Sequence, residues 1–500
     1  MKKRNQQVFM EVIKTINLIQ LLRDSVQKYG DRTALISEKQ YITYSQLNRA
    51  INNVAGIIKQ SGVGKGDKVA LMLPNIPEFV YSYLGVLKTG AVVVPLNTSS
   101  TSFELTYLLN NSDSKILITQ ASLIKKYQDA KDELLSCHQV IAVDSLNQNG
   151  ELIAGVDSDD SYFCSVEINP EDPAAIVYTA GLTGKPLGAV LTHRNLCEEL
   201  NMIQPIFRRR TDDVGLCLIP LFHTFGATVN MLNVIQVGCS TVMMDRLTMD
   251  GLFSKIEKEK ITYVCAVPRL FIGMVFYEKA ANYDLSSLKI CVTGGSAMPP
   301  DFIPVFEKKF NVRILEGYGL TEASPACSFN RIESVAKPGS IGTPLTGIDI
   351  KIVDETGREL PRNEIGELII RGGNVMKGYY KDEAATASVI KDGWLYTGDL
   401  GRMDEENYIF LTGLKKRMII ISGFNVYPRE VEAVLNMHPA VQVSRVSGKP
   451  DLMRGELVKA EIVLKEGYSS DDKEIIRHCK IYLSSYKVPR EVEFVQTLPN

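Results

Sequence analysis

The residues with most capacity for chemistry lie together in Tyr178-Thr179-Ala180-Gly181-Leu182-Thr183-Gly184-Lys185-Pro186-Leu187-Gly188-Ala189-Val190. Three glycines, two threonines and a lysine share this stretch, which follows the apolar run Ala174 to Val177 and leads into Leu191 and Thr192. Glycines let a backbone close on an anion and turn its N–H groups toward it. Threonine hydroxyls add donors or hold a metal, and a lysine supplies a point charge. Such a loop can hold a polyphosphate. An ordinary turn has the same letters, and this one is not a Walker loop: Thr179 stands where the first glycine belongs, and Pro186 follows Lys185 in place of Ser or Thr.

Four further stretches carry chemistry. Leu218 to Gly226 places His223 in an apolar loop, where a lone histidine reads equally as a packed residue. Gly294-Gly295-Ser296-Ala297-Met298-Pro299 is a small-residue turn against which a flat ring could lie. In Glu316-Gly317-Tyr318-Gly319-Leu320-Thr321-Glu322 the glycine-flanked tyrosine can stack on a base, and Thr321 and Glu322 offer the hard oxygens that suit Mg²⁺. Gly393 to Asp399 ends in a carboxylate able to accept from sugar hydroxyls or, more plainly, to cap a turn.

The elements that position these residues follow from periodicity. Val69 to Leu73 and Ala91 to Pro95 read as strands, with a helix over Ile76 to Lys88 ending at Gly90 between them, and Leu105 to Leu109, Ile116 to Ile118 and Val140 to Val143 continue the alternation. Such alternation predicts parallel α/β layers. Ile261 to Val267, Ile290 to Val292 and Val312 to Leu315 supply further strands, and Gly366 to Arg371 and Ile409 to Leu411 read as short strands in a small β-rich subdomain. Past Gly413 the character changes: the basic Lys415-Lys416-Arg417, a helix from Pro428 to Asn436, a strand over Leu457 to Leu464 and a helix over Lys473 to Leu483 make a small α+β domain. The predicted division is 1–413 and 414–500.

Composition bounds the function. Five hundred residues, 45% hydrophobic and 23% charged, with a formal net charge of -2, describe an ordinary globular enzyme with no basic field for nucleic acid. Nine scattered cysteines without a CxxC pair read as reduced, buried residues of a cytoplasmic protein, with no zinc spacing. Val8 to Leu22 reads as an amphipathic helix, because polar residues interrupt its apolar positions. Val214 to Val242 lacks charge but is broken by Pro220, glycines, His223 and asparagines, so strand, turn, helix and strand are expected in place of a membrane span. Peripheral membrane contact and oligomerisation stay open.

Taken in order from Leu18 to Asn500, these motifs resemble the adenylate-forming superfamily, and within it the AMP-forming acyl-CoA synthetases. The resemblance implies a large N-terminal domain binding ATP and a carboxylic acid, and a small mobile C-terminal domain that turns between two half-reactions. The acid attacks the α-phosphate to give acyl-AMP and pyrophosphate, and CoA thiol displaces AMP. ATP, Mg²⁺ and CoA are implied, with no prosthetic group, and a medium or long-chain fatty acid is the expected substrate. By resemblance Thr179, Gly181, Thr183, Gly184 and Lys185 belong to the triphosphate loop, with Glu322 and Thr183 toward Mg²⁺. Gly295, Ser296, Ala297, Glu316, Gly317, Tyr318 and Thr321 surround the nucleotide, and Asp399 takes the ribose. His223 sits by the acyl carboxylate, Lys416 at the hinge, and Gly423 on the loop lining the pantetheine tunnel.

The chain departs from the family pattern at Ala180, Leu182 and Leu187, apolar where donors or charge are usual, and at Leu414 and Arg417. It also stops at Leu498-Pro499-Asn500, short of the Gly-Lys motif that carries the family's adenylation lysine. These departures imply a truncated chain or a degenerate paralogue that binds nucleotide or acyl-adenylate without catalysis. Loading of a carrier protein in place of CoA is the remaining alternative.

Overall fold

A computed structural model of the chain describes residues 17–38, 40–143, 166–179, 185–244, 247–333, 337, 339–414, 418–451 and 453–498. Val92–Pro95 is buried at every position, and Lys68–Met72 and Ser114–Thr119 nearly so, as strands covered on both faces must be. They pair in parallel, with Gln139–Ala142 beyond them and Pro173–Thr179 on the other side. The helix Pro77–Lys88 starts on proline, which has no N–H to lose there, and ends before Gly90 in the left-handed region. It packs closely on Tyr44–Gln60 because Gly85 has no side chain: a Cβ there would lie 2.9 Å from Val54 Cγ1.

The seven-stranded sheet ends in an antiparallel pair, Pro173–Thr179 with Leu187–Thr192, registered from Pro173↔Thr192 to Thr179↔Leu187. The glycine-rich loop therefore joins two strands of one hairpin. Gly378–Tyr379 adds to the outside of that hairpin, so a segment far along the chain fixes the loop's return strand.

A second, nine-stranded sheet has a parallel centre: Arg313–Gly319, Ile290–Thr293, Tyr263–Ala266, Val214–Cys217, Ser240–Met243 and Thr33–Ile36. The uncharged stretch 214–242 is strand, a π-helical turn Gly226–Leu232 running into the helix Asn233–Val237, and strand. Among the described residues no helix is long and apolar enough to cross a membrane. At the N-terminus the predicted amphipathic helix is described only from Leu18, and it runs on to Tyr29.

Ile348–Val353, Gly366–Gly372, Trp394–Met403, Ile390–Lys391 and Ile409–Leu414 form the β-rich subdomain. The C-terminal domain has its own core of Val426, Val431, Leu435, Val458, Ile462 and Ile475, where Gly455–Leu464 pairs with Val441–Asp451 and the helices Pro428–Leu435 and Asp472–Tyr482 pack. The molecule thus has the expected class: α/β, a large layered N-terminal domain with a small β subdomain, and a smaller C-terminal domain.

Candidate active site

In open α/β sheets, ligands bind outside the carboxyl ends of the parallel strands. The nine-stranded sheet obeys this: Leu218 and Ile219, Ala266 and Val267, Gly294 to Ala297, and Glu316 to Gly319 continue four neighbouring strands into the wall of a cavity of about 660 Å³. Thr179, His223, Gly295, Ser296, Ala297, Glu316, Gly317, Tyr318, Thr321, Glu322, Asp399 and Gly423 all line it. Lys185 is described but stands exposed outside that wall. Gly181, Thr183, Gly184 and Lys416, with Ala180, Leu182, Lys415 and Arg417, lie outside the described residues.

The strand Arg313–Gly319 runs through the tyrosine motif itself, farther than the apolar run Val312 to Leu315 announces. Its glycines are sterically required. A Cβ on Gly317 would sit 2.0 Å from the Phe329 ring of the neighbouring strand, and one on Gly319 1.8 Å from the Pro325 carbonyl oxygen. Tyr318 is thereby held with its hydroxyl donating to the Asp399 carboxylate. Asp399 lies inside the strand Trp394–Met403 and does not cap a turn.

The electrostatics of this corner are acidic. Burial, opposed by the Tyr318 hydrogen bond and reinforced by Glu322 and Glu367, raises the Asp399 carboxyl to about 6. Glu322 Oε1 accepts from the Tyr379 hydroxyl at 2.8 Å. Tyr379 stands on the strand that pairs with the loop's return strand, at Tyr379↔Ala189, and so ties Glu322 to the glycine-rich hairpin. A carboxyl raised by neighbouring carboxylates suits a cation, and Mg²⁺ takes one or two protein carboxylates with substrate oxygens completing its shell. Among the described residues no group of three His, Cys, Asp or Glu could hold a metal by itself. Glu316 is buried, with Oε1 accepting from Met298 N at 2.9 Å and Oε2 lacking a partner among the described residues, and burial lifts it to about 7.

His223 is neutral at ordinary pH, because burial pushes it down to about 4. Its ring lies 5.1 Å from Phe222 and 5.6 Å from Phe424 of the C-terminal domain. Gly423, at φ +87°, lets that domain's loop approach: a Cβ would be strained by the conformation and would meet Val267 Cγ1 at 2.6 Å. Leu187 also lines the cavity, so the apolar replacement there faces the ligand space.

Several positioning residues escape a linear reading. Glu199, fully buried in the helix His193–Phe207, accepts from Ala326 N and Asn374 Nδ2, both at 3.0 Å, and pins the segment following Glu322. The sequence does carry a trace of it, an acid among Leu196, Leu200 and Ile203 on the face that packs inward. Tyr379, Tyr427 and Phe424 also line the cavity, and no local motif marks them.

A sequence profile described as "AMP-binding enzyme" matches residues 22–380, and one described as "AMP-binding enzyme C-terminal domain" matches residues 430–500. The chain belongs to the AMP-binding enzyme family. Within this family it is similar to the "Long-chain-fatty-acid--CoA ligase" of Bacillus subtilis, 36% identical over 96% of this chain and 91% of the relative. It is also similar to "4-coumarate--CoA ligase 1" of Petroselinum crispum, 31% identical over 95% of this chain and 90% of the relative. Among solved structures it superposes on a variant o-succinylbenzoate CoA synthetase from Bacillus subtilis bound to its product analogue OSB-NCoA, with TM-score 0.86, 29% identity and coverage of 96% and 95%. ATP-bound MatB from Rhodopseudomonas palustris gives TM-score 0.74 at 28% identity and coverage of 97% and 96%. The family's AMP-forming ligases use ATP and CoA as substrates, and the chain is accordingly an acid–thiol ligase of the acyl-CoA synthetase type.

Proposed function

We propose that this chain activates a medium or long-chain fatty acid as acyl-AMP and transfers the acyl group to CoA in the cytoplasm, with residues 1–413 and 414–500 as its two working units. The observation that carries this reading is the one cavity wall in which Glu322, Asp399 and His223 meet the Gly423 loop of the C-terminal domain and an apolar lining of Leu218, Phe225, Leu247, Val267 and Leu270. A carboxylate attacking a triphosphate needs charge neutralisation and in-line placement more than covalent help. Glu322, with Thr183, would hold Mg²⁺, which neutralises phosphate charge when bound. Thr179 and Lys185 would flank the phosphates, and the turn from Gly295 to Ala297 with Tyr318 would enclose the base.

The higher superposition on the product-analogue complex than on the ATP complex, at nearly equal coverage, supports a domain arrangement suited to thioester formation. The relative acting on 4-coumarate shows that the family's acids differ, so the chain's own apolar wall is what favours an aliphatic acid. The eight described cysteines are free and buried, which supports a reducing compartment.

Mass spectrometry of thioesters formed from ATP, CoA and a panel of acids tests this reading, with synthetic acyl-AMP supplied in parallel. Medium and long-chain acyl thioesters are expected to dominate. Preference for aromatic acids would overturn the substrate class. Nucleotide binding without thioester from any acid or acyl-AMP would favour the non-catalytic binding protein, to which Leu187 in the cavity wall lends support.

If Asp399 accepts the ribose hydroxyls as a carboxylate, AMP affinity falls as pH drops through about 6. Calorimetry at pH 7 and pH 5 is expected to show about tenfold weaker binding at the lower pH, and Asp399→Asn is expected to bind weakly with no pH dependence.

A further inference from the structure

Away from the cavity, the two domains meet through a buried ionic cluster. Glu104 belongs to the large domain, at the third position of the helix Ser102–Ser112, where its Oε2 accepts from Thr101 N at 2.9 Å in a capping box. The same carboxylate crosses to the C-terminal domain: Oε1 accepts from Lys487 Nζ at 2.8 Å and Oε2 from Ser484 Oγ at 2.6 Å. Lys487 also donates to Glu430 Oε1 at 2.5 Å, within its own domain. The side chains of Lys487, Glu104 and Glu430 are 9%, 10% and 10% exposed.

We infer that Glu104 is a positioning residue for thioester formation: its carboxylate, by engaging Lys487 and Ser484, holds the C-terminal domain in the orientation that brings Phe424 and Gly423 to the cavity. This rests on the ligase reading above. The link to the site is short. Tyr486, next to Lys487, stacks on Phe424 at 4.7 Å, and Phe424 reaches His223 at 5.6 Å. Beside the cluster, Thr101 Oγ1 donates to the Tyr482 carbonyl at 3.1 Å, and Phe103 meets the Tyr482 ring edge-on at 5.2 Å.

The charge count makes Glu104 specific to this orientation. Lys487 keeps Glu430 wherever the C-terminal domain goes, because both belong to it. Glu104 finds Lys487 and Ser484 only when the domains sit as they do here. Its charged hydrogen bonds are shielded from water, so they bias the orientation more than an exposed pair could. A ligand-independent contact made in one state alone shifts the population of that state.

Glu104→Gln separates this role from helix capping, since glutamine at the third position still completes a capping box while the charge is lost. With synthetic acyl-AMP and CoA, the variant is expected to form thioester about tenfold more slowly in kcat, with AMP affinity unchanged by calorimetry. Energy transfer between a fluorophore on each domain is expected to report a changed inter-domain distance, and Lys487→Met to reproduce both effects. Wild-type kcat and an unchanged inter-domain distance in Glu104→Gln would overturn the inference. If the wild-type chain forms no thioester from any acyl-AMP, the ligase reading fails, and the inter-domain distance alone then decides whether Glu104 sets the orientation.

Discussion

Glu199→Ala is expected to cost about 2–4 kcal/mol of folding stability, although Glu199 itself does not line the cavity. The substitution strips the acceptor from Ala326 N in a fully buried setting, at about 1–3 kcal/mol for that orphaned group, and leaves a cavity as well, whereas Asn374 Nδ2 keeps the Ala323 and Ala326 carbonyls as acceptors. Glu199→Gln keeps the volume and one acceptor oxygen, and is expected to cost about 1 kcal/mol. The pair also has a pH signature. Burial raises Glu199 to about 8 from an ordinary 4.5, so between these values the folded chain keeps a proton that the unfolded chain releases. The stabilising contribution is complete below pH 4.5 and is lost as pH rises to 8. Thermal midpoints at pH 5 and pH 8 check this: the wild-type advantage over Glu199→Gln should shrink toward pH 8. Parallel curves would place the carboxyl in a more polar setting.

His223→Ala is expected to slow thioester formation from supplied acyl-AMP by about 10²–10³-fold, the scale of losing one donor to a developing oxyanion. The imidazole stands in the cavity wall against Phe424, where the acyl carbonyl and the incoming thiol would meet. With its proton affinity pushed down to about 4 by burial, it would act in that role as a neutral donor and not as a cation. The wild-type rate at saturating substrates should therefore show no step near pH 6.5 attributable to this ring. A His223→Ala variant with wild-type kcat, or a wild-type step near 6.5 that disappears in it, would remove His223 from this role or this protonation state.

The parallel layers were legible because their strands are apolar at nearly every position, as in Val92–Pro95, and their helices carry plain stops such as Gly90. The same applies to the motif residues that line the cavity: loops at strand ends concentrate glycine and polar oxygen, and Gly317 and Gly319 are forced by contacts with Phe329 and Pro325. What stayed hidden depends on long-range closure. Tyr379 matters to Glu322 only because a short strand adds to the glycine-rich hairpin. Glu104 looks like half of a capping box, which it is, and nothing local says that its second oxygen meets Lys487. The role of Asp399 as a strand residue facing Tyr318 was likewise set by pairing between distant segments.

The pairing of Thr33–Ile36 with Ser240–Met243 has a consequence for biosynthesis. Leu35 takes Thr241 as its partner, so this strand emerges from the ribosome about 200 residues before the parallel strand it must lie against. At roughly 5–20 residues per second that is a wait of about 10–40 s. Meanwhile Lys68–Met72, Val92–Pro95 and Ser114–Thr119 can already assemble among themselves. The nascent chain can thus pair those three strands while Thr33–Ile36, with the apolar face of Leu18–Tyr29, waits as unfinished surface that chaperones would meet.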